Sequence, residues 1–142
     1  MKETLLPEGY KPSESEEYMN PKQLLYFKNK LSTWKSDLLK ESTETLEHLK
    51  EENWNEPDLT DRASVETETG IELRTRDRYR KLLDKIERAI KRIDDKEYGF
   101  CEETGEKIGI KRLEARPVAT LCIEAQMRHE DYEQTHVDED EH

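Results

Sequence analysis

Two stretches of this chain carry apolar side chains at alternating intervals of three and four residues, and no other feature limits its folding so strongly. Leu24, Phe27, Leu31, Trp34 and Leu38 form the first stretch, continued with a slip in phase by Ser42, Leu46 and Leu49. Tyr79, Leu83, Ile86, Ile90 and Ile93 form the second. Such spacing puts every member on one face of a helix, so each stretch predicts a long helix with a single narrow seam. Asn20-Pro21 gives the first helix its start, a capping side chain followed by proline at the first helical position. That helix should end before Asn53-Trp54-Asn55-Glu56-Pro57, where asparagine and proline both break it. The second should begin near Ser64 or Val65 and end near Tyr98-Gly99. Two seamed helices joined by a short polar connection predict an antiparallel hairpin. Each arm has roughly thirty residues, a reach of about 45 Å. Residues 40–78 are poor in seam hydrophobes, so the hairpin reads as a polar rod built to project what sits at its tip.

Composition points the same way. Of 142 residues 42% are charged and 32% hydrophobic, too few for a thick core and too regularly placed for disorder. No run of eighteen apolar residues exists, and the polar N-terminus lacks the apolar centre of a secretion signal. A cytoplasmic chain without a membrane anchor is expected, with its two cysteines outside any disulfide scaffold.

The net charge of −11 is unevenly spread. Residues 1–71 carry 9 basic and 16 acidic side chains, residues 72–96 carry 10 and 6, and residues 97–142 carry 5 and 13. The sums are −7, +4 and −8. So acidic a chain is repelled by nucleic acid, whose binding depends on neutralising phosphates, and sequence-specific DNA binding is not expected. The basic block could hold a small anion or face an acidic protein surface. On charge alone, a solvated face laced with ion pairs one turn apart is the plainer reading.

The remaining segments complete a mainly α architecture. Residues 1–17 read as a flexible arm within an N-terminal segment 1–19. The coiled-coil hairpin takes 20–97, with its tip at about 54–64. Residues 98–134 read as a small zinc-knuckle-like globular base followed by a C-terminal helix from Cys122 to about Gln134. The acidic tail 135–142 should fray. Glycines 99, 105 and 109 and Pro117 mark turns, and Ile108 and Ile110 alternate as a short strand would.

Tetrahedral zinc in a four-cysteine knuckle takes two thiolates from each of two C-x-x-C turns. Here the turns read Cys101-Glu-Glu-Thr104 and Cys122-Ile-Glu-Ala125. The spacing is intact, but Thr104 and Ala125 replace two ligands, and neither Glu124 nor His129 sits in ligand spacing. Zinc is therefore not expected. Cys101 and Cys122 then read as small buried hydrophobes, or as a pair held close enough to oxidise.

The string YGFCEETGEKIGIKRLEARPVATLC resembles the C-terminal signature of the DksA/TraR family of RNA polymerase-binding transcription factors. It carries Tyr98, Gly99, Cys101, Gly105, Ile108, Gly109, Arg112, Leu113, Ala115, Arg116, Pro117 and Cys122. Upstream, EEYMN at 16–20, DLTDRAS at 58–64 and ELRTRDRYRKLLDKIERAI at 72–90 resemble the full-length DksA branch, so the likeness covers about residues 16–130. Thr104 and Ala125 are similar to the cysteine-poor variants of that branch, which are thought to keep the fold without metal. The resemblance implies a monomeric factor that inserts its hairpin into the secondary channel of bacterial RNA polymerase. Its tip would approach the catalytic centre and destabilise promoter complexes, with ppGpp as effector in the stringent response.

By the same resemblance, the tip residues are Asp58, Asp61 and Ala63. Two carboxylates three residues apart can meet a basic side chain or a metal-bound water, and alanine permits close approach. Taken without the resemblance, Asp58 is a turn residue and Asp61 a helix cap. The effector positions fall on Leu82, Lys85 and Arg116; both cations suit a polyphosphate, and arginine can grip two oxygens at once. The fourth position is Gln126, where the family commonly has lysine. No nucleophile elbow, phosphate loop or zinc-protease motif is present, and the four histidines are scattered, so an enzyme is not expected. The alternatives are a Gre-like transcript-cleavage factor, a non-catalytic coiled-coil adaptor, and a nucleic-acid-binding zinc ribbon, which the acidic balance and missing ligands disfavour.

Overall fold

The seams build the helices they predict. In the computed structural model, which describes residues 6–55 and 62–140, α1 spans Pro21–Asn55 and α2 spans Arg62–Asp94. Two shorter helices follow, α3 over Ile110–Ala115 and α4 over Ile123–Asp140. Every seam residue on α1 and α2 is buried or half-buried. By packing, the chain divides into two units, residues 32–87 and residues 1–31 with 88–142.

In the first unit α1 and α2 run antiparallel. Lys35 pairs with Glu87 at 3.3 Å, whereas farther along α1 Thr45 and Glu41 meet the Tyr79 hydroxyl at 3.2 and 3.3 Å. Later residues of one helix thus face earlier residues of the other. Leu38 and Ile86 are its buried seam positions. The ion pairs here are exposed, and such pairs contribute little, so the apolar seam holds this unit.

The second unit contains the main core. Phe27, Leu31, Ile93, Tyr98, Ile108, Ile110 and Leu113 are buried, and the Phe27 ring lies 5.6 Å from that of Tyr98. Tyr98 donates its hydroxyl to the Pro117 carbonyl at 2.7 Å, which satisfies its one polar atom inside the core. Truncating Phe27, with no exposed surface, would cost about 3–5 kcal/mol by the usual cavity arithmetic.

Several boundaries depart from the sequence reading. The helix α1 continues to Asn55, and α2 begins at Arg62, before Ser64. At its other end α2 stops at Asp94, short of Tyr98-Gly99. There Lys96 takes a left-handed φ of 61°, and the Arg92 carbonyl accepts both Glu97 N–H (2.8 Å) and Tyr98 N–H (3.1 Å). This reversal turns Tyr98 into the core. Ile108 and Ile110 do not form a strand, because Gly109 breaks the backbone at φ 104° and Ile110 opens α3. Ile110 and Leu113 are buried three residues apart, a helical interval, and Pro117 excludes helix at the preceding residue. The only bridge among the described residues joins Phe100 and Lys107. The last helix passes Gln134 and takes in the tail as far as Asp140; no proline or glycine follows Cys122 to stop it.

The arm read as flexible is tied down from Tyr10 onward. Tyr10 donates to Glu16 at 2.9 Å, and Gln23, fully buried, donates to the Ser13 carbonyl at 3.2 Å. Tyr18 donates to the Gly99 carbonyl at 2.6 Å and accepts the Gly109 N–H at 3.0 Å. Its ring meets Phe100 edge-on at 5.4 Å. At the start of α1, Asn20 accepts the Gln23 N–H at 2.9 Å, and the Gln23 side chain returns to the Met19 N–H at 2.7 Å. This reciprocal arrangement is close to a capping box.

Candidate functional site

Three groups of residues carry the functional expectations. The first is the hairpin tip. Asp58 and Asp61 lie outside the described residues, and Ala63 is the second residue of α2.

The second is the knuckle. Cys101 N–H donates to the Glu106 carbonyl at 2.7 Å, and Gly105 N–H donates back to the Cys101 carbonyl at 2.9 Å, closing the first tight turn. The second turn is tied to it where Glu102 N–H meets the Thr120 carbonyl at 2.9 Å. Cys101 and Cys122 are free thiols, buried in one cluster with Ala125 and packed against Leu121. The Thr104 hydroxyl lies 3.8 Å from the Cys122 sulfur and accepts the Glu106 N–H at 3.2 Å. Burial of Cys101 works against ionisation. It is outweighed by hydrogen bonds to the sulfur from the Thr104 hydroxyl and the backbone N–H groups of Cys122, Thr104 and Glu103, which bring the thiol down to about 6.

This donor set does not fit a four-thiolate zinc site. Thr104 spends its hydroxyl on hydrogen bonds, and Ala125, with no exposed surface, brings a methyl group to the fourth position. Glu106, Cys122 and Glu124 do bring ligand-type atoms within 4.8 Å of one another, but both carboxylates are exposed. From α4, His129 reaches the Glu103 carboxylate, a contact that raises the imidazole above its ordinary value.

The third group is the set of effector positions. Leu82 and Lys85 stand on α2 three residues apart, the leucine half-buried and the lysine exposed. Arg116 is exposed at the end of α3, where its backbone N–H bonds to the Arg112 carbonyl at 2.7 Å. Gln126 is half-buried on α4 and donates to Glu130 at 3.3 Å.

Sequence reasoning missed two anchors of this region. Arg92 donates to the Phe100 carbonyl at 2.8 Å and to Glu102 at 3.2 Å, fastening the end of α2 to the knuckle. Tyr18 joins the two glycine turns at 99 and 109. No local pattern marks either, because their partners are set by the fold.

Comparison with known proteins matches residues 23–93 to the family described as DnaK suppressor protein DksA, N-terminal domain. Residues 96–131 match the prokaryotic dksA/traR C4-type zinc finger. The RNA polymerase-binding transcription factor DksA of Caulobacter vibrioides is 58% identical over 130 residues, 92% of each chain. The protein of that name from Escherichia coli is 48% identical over 82% of this chain and 78% of its own length. Among solved structures, transcription factor DksA2 from Pseudomonas aeruginosa superposes with a TM-score of 0.70 at 38% identity. That match covers 84% of this chain and 94% of the other. A seamed hairpin followed by a knuckle, matched over most of the chain by relatives of such identity, makes this chain a member of the DksA family.

Proposed function

We propose that this protein is a bacterial transcription regulator that binds RNA polymerase as a monomer in the cytoplasm and performs no catalysis of its own. The hairpin enters the secondary channel, the tip carboxylates of Asp58 and Asp61 act near the active centre with Ala63 allowing close approach, and promoter complexes are destabilised. The observation that carries this reading is the 58% identity, over 92% of both chains, to a protein named as an RNA polymerase-binding transcription factor. The antiparallel hairpin supplies the means of reach. Leu82, Lys85 and Arg116 contribute to a ppGpp site, which has one cation fewer because position 126 is glutamine.

Co-purification with core polymerase, followed by transcription from a ribosomal-RNA-type promoter with and without ppGpp, tests the reading. Retention on polymerase and inhibition strengthened by ppGpp are expected. Absence from the polymerase fraction would leave the adaptor reading, and shortened nascent RNA in stalled complexes would assign a Gre-like cleavage role. The knuckle is proposed to fold without zinc, its two turns joined through the Thr104 hydroxyl. Elemental analysis of the purified protein should find no stoichiometric zinc; one equivalent per chain contradicts this.

A further inference from the structure

Arg116 stands on a short piece of chain that cannot hold itself. The helix α3 has six residues, Ile110–Ala115, fewer than an isolated helix needs to persist in water. Ile110 and Leu113 bury one face of it, but the last carbonyls of a helix lack partners within it. The segment is fastened on both sides of Arg116 by side chains from elsewhere in the fold. Before it, Lys30 of α1 donates to the Glu114 carbonyl at 3.0 Å and to the Glu114 carboxylate at 2.7 Å. After it, the Tyr98 hydroxyl holds the Pro117 carbonyl at 2.7 Å. The Arg116 side chain itself is exposed.

Lys30 differs from the other lysines of α1 that form ion pairs. Lys28 meets Asp94 at 2.8 Å and Lys35 meets Glu87 at 3.3 Å, each a contact between side chains of the two long helices. Lys30 instead grips the backbone and the side chain of one residue, 84 positions away, so it fixes where Glu114 lies as well as its charge. One turn earlier on α1, the Tyr26 hydroxyl interacts with the same carboxylate; burial and Glu114 together raise that phenol to about 12. Burial opposes ionisation of Glu114, but Lys30 and Tyr26 outweigh it and keep the carboxyl below its ordinary value. A pair that served charge balance alone would not engage a backbone carbonyl.

From this we infer that Lys30 is a positioning residue for the effector site: through Glu114 it sets the backbone two residues ahead of Arg116 and so orients the guanidinium toward a polyphosphate. The inference rests on the ppGpp reading above and adds a support for it from α1. A guanidinium grips two phosphate oxygens only in a fixed orientation. Freeing its backbone therefore weakens binding in proportion to the time it spends out of place. Lys30 acts through Glu114, which neutralises its charge, and not as a cation offered to the effector.

The test is the ppGpp concentration that gives half of the added inhibition of a ribosomal-RNA-type promoter by purified polymerase and the full chain. It is read for wild type, Lys30→Met, Lys30→Arg, Glu114→Gln and Arg116→Ala. Lys30→Met should inhibit like the wild type without ppGpp yet need roughly fivefold more ppGpp, and Lys30→Arg should stay close to wild type. Glu114→Gln should also need more. Loss of the ppGpp-free inhibition in Lys30→Met would make Lys30 merely structural and overturn the inference. An unchanged requirement in Lys30→Met, where Arg116→Ala raises it, overturns the inference and leaves the ppGpp reading standing. A requirement that stays level or falls in Glu114→Gln would mean that Lys30 meets the effector as a cation, which overturns positioning through Glu114. An unchanged requirement in Arg116→Ala removes Arg116 from the effector site and overturns both.

Discussion

At Cys101 two forces oppose each other in one side chain, and the hydrogen bonds win. Burial disfavours the thiolate, while the Thr104 hydroxyl and three backbone N–H groups bring the thiol from its ordinary 9.0 to about 6. A thiol lowered on folding stabilises the native state in its charged form. That contribution is complete above the unfolded value and is lost as pH falls toward 6. Melting temperature should therefore rise between pH 6 and pH 9 in the wild type, and Cys101→Ser should remove that part of the rise. An unchanged profile in the variant would show that the thiolate is not what stabilises the knuckle. The pairing of Asn20 with Pro21 was legible as a cap because capping is local. The full burial of Gln23 was not, since its amide is also satisfied by the Ser13 carbonyl ten residues away.

Among the elements, the two long helices follow from spacing alone, because burial of a seam requires the same rhythm that reveals it. Their ends were less legible. The exit of α2 is set by the Arg92 carbonyl, Lys96 in a left-handed conformation and the side chain of Arg92 on the knuckle. Ile108 and Ile110 misled because one alternation is too short to fix a strand; Gly109 breaks the backbone between them, and the three-residue interval from Ile110 to Leu113 decides for helix. Gly99 is the tightest of these junctions. It adopts φ 93°, and a Cβ there would lie 2.6 Å from Met19 Cγ. Gly99→Ala should cost roughly 1–3 kcal/mol through backbone strain and displacement of Met19. Urea unfolding would read that loss, and an unchanged midpoint would mean that the arm does not press on the turn.

Over the whole molecule, the division of charge into −7, +4 and −8 is a property of the sequence, but its meaning comes from the helices. Ion pairs one turn apart, Glu72 with Arg76 and Asp77 with Arg80 and Lys81, absorb part of the positive block. The same holds for the knuckle: its degenerate ligand pattern is visible in the sequence, while the hydrogen bonds around Cys101 and Thr104 appear only once both turns are folded together. No described helix is long and apolar enough to cross a membrane. In the function proposed above, the hairpin acts on promoter complexes through the tip carboxylates of Asp58 and Asp61. The most direct measurement is the lifetime of competitor-resistant complexes formed by purified bacterial RNA polymerase on a ribosomal-RNA-type promoter, with saturating wild type or Asp61→Asn. The wild type should shorten that lifetime, and Asp61→Asn should bind polymerase with nearly unchanged affinity yet leave the lifetime long. A lifetime unaffected by bound wild type, or shortened equally by the variant, would contradict the claim.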